Sequence, residues 1–73
     1  MTGVMVSWAG TTTKLWAACP RDQAETKVWE FAQVFRAWFG EPGLTIEFGR
    51  DNKGAFEPTE KMDVAKYLPT QSE

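Results

Sequence analysis

The sequence predicts a small α+β domain: an antiparallel sheet in β-β-α-β-β order, with one long amphipathic helix packed on one face and room for a short C-terminal helix. Three observations lead there. Apolar and polar residues alternate at the two-residue period of a strand near residues 3–9 and 44–48. Between them an apolar stripe repeats at the helical period. The chain has 73 residues, enough for a single hydrophobic core and no more.

The first strand spans residues 3–9, with Val4, Val6 and Trp8 on its inward side. Gly10 and Thr11 supply a turn. A second strand follows from Thr12 to Ala18, its threonines suited to a pleated surface. Leu15, Ala17 and Cys19 alternate with Lys14, Trp16 and Ala18, and both sets contain apolar residues, so two facings are open. Leu15 and Ala17 inward is the favoured one, which puts Trp16 on the outer face. The helix begins near Pro20, with Asp22 and Glu25 spaced as a capping-box variant. It is expected to stop at Gly40, ahead of Pro42. Ala24, Val28, Phe31, Ala32, Phe35, Trp38 and Phe39 form its stripe, and its length is about 27 Å at 1.5 Å per residue.

Leu44, Ile46 and Phe48 alternate with Thr45 and Glu47 as a third strand. Residues 50–54 read as a turn in which Asn52 or Gly54 takes positive φ. A short return strand, Gly54 to Glu57, ends at the edge-tolerated Pro58. Thr59 then caps a last short helix to about Leu68, with Met62, Ala65 and Leu68 on one side. Residues 1–68 form the domain, and 69–73 a polar tail.

Composition narrows the chemistry. Ten acidic and eight basic side chains leave a net charge of −2, there is no histidine, and Cys19 is alone. Ser-His and Cys-His catalytic pairs therefore cannot form, and neither can a His-ligated metal site or an internal disulfide. A secretory leader would need a basic start, yet no Lys or Arg precedes Lys14. Leu15-Trp16-Ala17-Ala18-Cys19 resembles a lipoprotein cleavage box only superficially, because Trp16 stands where a small aliphatic residue belongs. The expectation is a cytoplasmic chain. No cofactor is implied, and no enzymatic activity.

Cys19 precedes the helix start, a position that can lower a thiol pKa; its ordinary role is a small buried residue. Glu41, Glu47, Glu57 and Glu60 scatter along the second hairpin without converging, and serve to keep a sheet surface and edge soluble. The fragment Asp51-Asn52-Lys53-Gly54 lacks the spacing and terminal Glu of a calcium loop. On the helix, Arg21, Lys27 and Arg36 balance Asp22, Glu25 and Glu30. A basic membrane-binding face is thereby excluded.

The aromatic surplus is the positive signal: four Trp, five Phe and one Tyr. Trp29 lies about 100° off the apolar stripe, among Glu25, Gln33 and Arg36, where the core does not require it. Trp16 and Tyr67 are further aromatics that the predicted core leaves over. Large rings on polar faces anchor protein interfaces. The sequence therefore predicts a non-enzymatic protein-binding module. Its candidate partner-binding residues are Trp29, Arg36, Glu25, Trp16 and Tyr67. A phage or mobile-element inhibitor of a host complex, anti-CRISPR-like in action, is its narrower form. A homodimer through a sheet edge is a second kind of partner. The alternative function is single-stranded nucleic-acid binding by Trp16, Phe56 and Lys53 on the outer sheet, although dispersed basic residues make the phosphate contribution weak.

Overall fold

The computed structural model describes residues 1–9 and 12–68; the Gly10-Thr11 turn and the 69–73 tail fall outside them. Four strands and one α-helix follow in the order β1 (Thr2–Trp8), β2 (Lys14–Ala18), α1 (Ala24–Val34), β3 (Leu44–Asn52) and β4 (Ala55–Met62). The strands form one antiparallel sheet in the spatial order β2-β1-β3-β4. The fold is the α+β class that the periodicities predict.

Alternation decides which side each strand buries. Val4 stands opposite Ala17 and Phe48, while Val6 stands opposite Leu15 and Ile46. Val4, Val6 and Ile46 are fully buried, and Leu15 and Ala17 pack against them from the edge strand. Leu15 and Ala17 thus face inward and Trp16 outward, as expected. Across this inner face lies α1, burying Ala24, Val28 and Ala32. Two of those three side chains are alanines, which suits close approach of a helix to a sheet. Trp8, Cys19, Phe39, Leu44, Phe48, Met62 and Tyr67 complete the core.

The helix is shorter than the apolar stripe implies. Its α-helical part has 11 residues, about 16 Å at 1.5 Å per residue. A 3₁₀ turn, Arg21–Gln23, precedes it, and a second follows at Trp38–Gly40. The expected Asp22–Glu25 capping box does not form, since neither start has a side-chain cap. The backbone already winds at Arg21, so Asp22 lies inside the turn instead of ahead of it. At the far end the helix breaks at Phe35 (φ −117°, ψ 39°). The break lets Phe39 drop into the core at 1% exposure. It also lays the Trp38 ring on Phe35 (centroids 4.6 Å apart, 17° between planes) and edge-on to Trp8 at 4.7 Å. Trp8 Nε1 donates to the Trp38 carbonyl at 3.2 Å. Aromatic burial outweighs helix continuation here: the break seats Phe39 in the core and Trp38 between Phe35 and Trp8. Gly43 and Gly54 take positive φ, and Gly40 does not.

The second hairpin also differs. Its strands run on to Lys53-Gly54, a two-residue turn with φ 54° and 83°, the backbone shape that matches strand twist. Lys53, not Asn52, takes the left-handed position beside Gly54. The return strand continues through Pro58 to Met62, where a helix from Thr59 was expected. A bulge makes this continuation feasible: Phe48 pairs with Glu60 and Gly49 with Pro58, leaving Thr59 between them. Thr59 Oγ1 donates to the Phe48 carbonyl at 3.1 Å, satisfying an acceptor at the irregularity. What remains of the C-terminal helix is a 3₁₀ turn, Val64–Tyr67, whose cap is Asp63.

On the outer face Gly3 of β1 stands directly opposite Gly49 of β3. A Cβ added at Gly3 would collide with the Ala17 carbonyl oxygen and come within 2.8 Å of the Trp16 ring; at Gly49 it would collide with the Glu57 carbonyl oxygen and come within 2.8 Å of the Phe56 ring. Both edge strands therefore curl over the glycine pair. Trp16 on β2 and Phe56 on β4 are separated by three strand spacings, about 14 Å. Their ring centroids nevertheless lie 5.7 Å apart, edge to face. Gly3 and Gly49 are buried beneath them.

Gly3→Ala and Gly49→Ala should each lower unfolding stability by about 2–3 kcal/mol in urea titrations. Adding Trp16→Ala to Gly3→Ala should restore nothing, because the backbone collision persists. A double variant as stable as the parent would show that only the ring stood in the way.

Candidate interaction site

The side of α1 turned from the sheet carries the largest aromatic group left accessible on that element. Glu25 and Trp29 stand one helical turn apart, so both project from one side. Trp29 is 42% exposed. Its ring meets the Tyr67 ring edge-on, with centroids 5.3 Å apart and a 69° interplanar angle. Tyr67 itself is buried, and it is positioned by the Val64–Tyr67 turn. There the Asp63 carboxylate accepts a hydrogen bond from the Ala65 amide at 3.1 Å. Next to Tyr67, Lys66 Nζ reaches Glu25 Oε2 at 2.8 Å. The C-terminal turn is thus fastened to α1 by one ring contact and one ion pair, with Trp29 beside both. Leu68, 38% exposed, follows directly.

Of the five residues singled out in the sequence, Glu25 and Trp29 therefore stand together on an accessible surface. Tyr67, expected as an aromatic left over by the core, instead belongs to the core at 1% exposure and only braces Trp29 from beneath. Arg36 is placed differently. It lies in the turn after Val34, so the two-turn spacing that would align it with Trp29 on one helix face does not apply. Its side chain is exposed and makes no ion pair among the described residues. Trp16 belongs to the opposite side of the sheet, half-buried against Phe56 over the glycine pair.

That outer face also holds the residues of the nucleic-acid reading. Trp16 and Phe56 meet each other, and Lys53 occupies the exposed hairpin tip. Strand alternation adds Glu47 and Asp51 on the same side, so Lys14 and Lys61 share it with carboxylates. Lys14, Lys53 and Lys61 exceed those two carboxylates by a single charge, too little for a strong phosphate contribution.

Sequence reasoning missed the cleft beside Trp8 and Trp38. It is open, about 260 Å³, and is lined by Trp8, Ala9, Thr13, Trp38, Glu41 and Pro42. Its volume falls just under the ~300 Å³ at which small-molecule sites begin. The inward assignment of Trp8 and the place of Trp38 in the helix stripe were the available signals. Only the break at Phe35 brings them together. Arg21 is another such residue. It forms a two-pronged pair with Glu60 at 2.7 and 2.6 Å, and its guanidinium lies 5.7 Å from the Phe48 ring centroid. The pair ties the start of the helical segment to β4. It holds the Glu60 carboxyl below its ordinary pKa, chiefly through the Arg21 hydrogen bond. Exposed pairs like this one contribute little individually.

Cys19 is buried at 7% exposure. Its amide donates to the Thr2 carbonyl at 3.0 Å, and Thr2 Oγ1 donates to its carbonyl at 3.1 Å. Burial pushes the thiol pKa up, opposing the depression expected ahead of a helix. Desolvation outweighs the attraction of Lys27, which is the reverse of an activated nucleophile. Burial likewise raises the Tyr67 phenol, with Glu25 adding to the effect. Among the described residues no helix is long and apolar enough to cross a membrane.

These shifts predict alkaline behaviour. The Lys66 ammonium is raised too, through its hydrogen bond to Glu25. For Cys19, Tyr67 and Lys66 the folded chain keeps a proton that the unfolded chain has released. The native state then holds more protons, and stability falls as pH rises past the ordinary values of 9.0, 10.0 and 10.5. Urea midpoints should drop steadily above pH 9, and native Cys19 should react with thiol reagents much more slowly than a small free thiol. A midpoint that climbs across this range, or a thiol that reacts at the free rate, contradicts the arrangement.

The chain matches no model of a known protein family, and no match is found among the curated proteins or the solved structures with which it was compared.

Proposed function

We propose that this chain is a non-enzymatic protein-binding module whose anchor is Trp29. One observation carries the reading: a tryptophan 42% exposed on a regular helix and braced edge-on by a buried tyrosine. A braced ring loses little conformational freedom on binding, and the ring area not yet covered is what a partner would desolvate. Around it the Glu25–Lys66 pair offers a polar rim and Leu68 further apolar surface. Apolar centres with charged borders are the usual anatomy of an interface hot spot. Arg36 adds a cation near the end of α1, available for an acidic partner group.

The narrower reading, a phage or mobile-element inhibitor of a host complex, is the form this proposal takes if the captured partner is one subunit of such a complex. The alternative, single-stranded nucleic-acid binding on the outer sheet, draws little support from a surface whose lysines exceed its carboxylates by one.

The test is capture of partners by the tagged full chain, with and without nuclease, followed by affinity measurement on the partner recovered. Trp29→Ala should weaken that complex by about 2 kcal/mol, roughly 30-fold, while the far-ultraviolet dichroism stays unchanged. Arg36→Glu should weaken it less. If both variants bind as well as the parent, the helix-side anchor is wrong. Material lost entirely on nuclease treatment would favour the nucleic-acid reading.

A further inference from the structure

We propose that the outer edge of β2 pairs with the same edge of a second copy of this chain, joining the two sheets across a two-fold axis. The inference is independent of the Trp29 surface.

The two edges of the sheet are unlike. β4 is guarded against strand pairing by Pro58, by the bulge at Thr59 and by the charges of Glu57, Glu60 and Lys61. β2 reads Lys14-Leu15-Trp16-Ala17-Ala18, with one charge, no proline and no bulge. Among the described residues no strand lies on its outer side. The backbone direction follows from the hydrogen bond of the Cys19 amide to the Thr2 carbonyl. Antiparallel ladders alternate, so Cys19, Ala17 and Leu15 direct their amides and carbonyls at β1. Those of Lys14, Trp16 and Ala18 point away from the sheet, ready for a partner strand.

Side chains leave this edge open. Trp16 is the bulkiest residue on β2, yet its ring is drawn inward over Gly3 to meet Phe56 and does not shield its own backbone. Lys14 and Ala18 are exposed, and Leu15 and Ala17 are only half-buried against the core.

The strand is also complementary to itself. Of the antiparallel registers that bring outward-pointing groups together, only the one centred on Trp16 pairs all five residues. It sets Trp16 opposite its symmetry mate and Lys14 opposite Ala18 of the second copy, keeping the lysines apart. On the inner face it sets Leu15 opposite Ala17 of the second copy, large against small, on both sides of the axis. About six ladder hydrogen bonds would form. A five-residue strand pair lies at the small end of specific interfaces, so a dissociation constant of about 10–100 μM is expected.

Sedimentation equilibrium of the full chain from about 5 μM to 1 mM tests this. The mass should rise from 8.2 kDa toward twice that value. Ala18→Pro removes an outward amide that β1 does not use, and it should keep the chain monomeric with its dichroism spectrum unchanged. Two surface variants test the register without touching the backbone. Ala18→Lys places like charges across the axis and should weaken the dimer about 3- to 10-fold; Ala18→Glu places a carboxylate opposite Lys14 of the second copy and should tighten it by a similar factor. A chain that stays monomeric to 1 mM overturns the proposal. So does a dimer that Ala18→Pro leaves intact, or one that both charge variants shift in the same direction.

Discussion

Two glycines facing each other across the central strands are the constraint on which much else depends. Gly3 and Gly49 are the residues whose missing side chains let β2 and β4 fold inward over the outer face. Were either an alanine, a backbone carbonyl of the neighbouring edge strand would have to retreat, and the curl would relax. With the curl in place, Trp16 and Phe56 meet where flat strands would hold them about 14 Å apart. Their rings roof the glycines and give the sheet a small apolar layer opposite the main core. A domain of this length has little core to spare, and one helix covers only one face. Aromatic cover over a glycine pair gains apolar burial on the other face without a second helix.

The same economy explains the helical side. The stripe from Ala24 to Phe39 is apolar throughout, but the helix that carries it breaks at Phe35. Ending α1 at Val34 divides the stripe into two jobs. Ala24, Val28 and Ala32 seat the helix, while Trp38 and Phe39 wrap the end of the sheet. Trp8 profits twice, from an edge-on ring and from an acceptor for its indole N–H. An indole buried without that acceptor would carry an unsatisfied donor, at a cost comparable to the apolar gain.

What the sequence made legible was whatever obeys a period. Strand alternation placed Val4, Val6, Trp8, Leu44, Ile46 and Phe48 on the correct side, and the helical stripe found every buried position of α1. For β2, where both alternating sets hold apolar residues, alternation alone did not decide, and the structure selects Leu15 and Ala17. It failed where a tertiary contact overrules local preference. Thr59 after a proline looks like a cap; nothing nearby in sequence reveals that a bulge opposite Phe48 and Gly49 allows β4 to pass Pro58. Gly40 before Pro42 looks like a helix stop, although the chain had already turned at Phe35 to bury Phe39. For the interaction surface, the off-stripe position of Trp29 was readable at once. That Tyr67 would be its buried neighbour was not, since the two lie 38 positions apart in sequence and only the turn after Met62 joins them. Gly3 at the start of the predicted first strand and Gly49 just past the predicted third strand were the unused clue to the roofed outer face.

The aromatic groups left over from the core thus divide by how far they are enclosed. Trp16 is committed: its ring fills a trench, and removing it would expose two backbones, so it serves the fold before any partner. Trp29 is braced but not enclosed, since one edge contact with Tyr67 fixes its direction and leaves much of its surface in water. Committing Trp16 inward has a consequence at the margin of the sheet. A tryptophan leaning outward would screen the β2 backbone, whereas one leaning inward leaves alternate amides and carbonyls facing solvent. Edge strands in that condition seek a partner unless charge or proline deters them. On β4 both deterrents are present; on β2 a single lysine stands at one end, where two-fold pairing carries it away from its own copy. The proposed helix-side anchor and the proposed β2 pairing edge lie on different parts of the domain. A self-paired chain would therefore present two Trp29 anchors at once, and a partner with repeated sites would be held by both, gaining avidity that a single anchor of modest strength cannot supply.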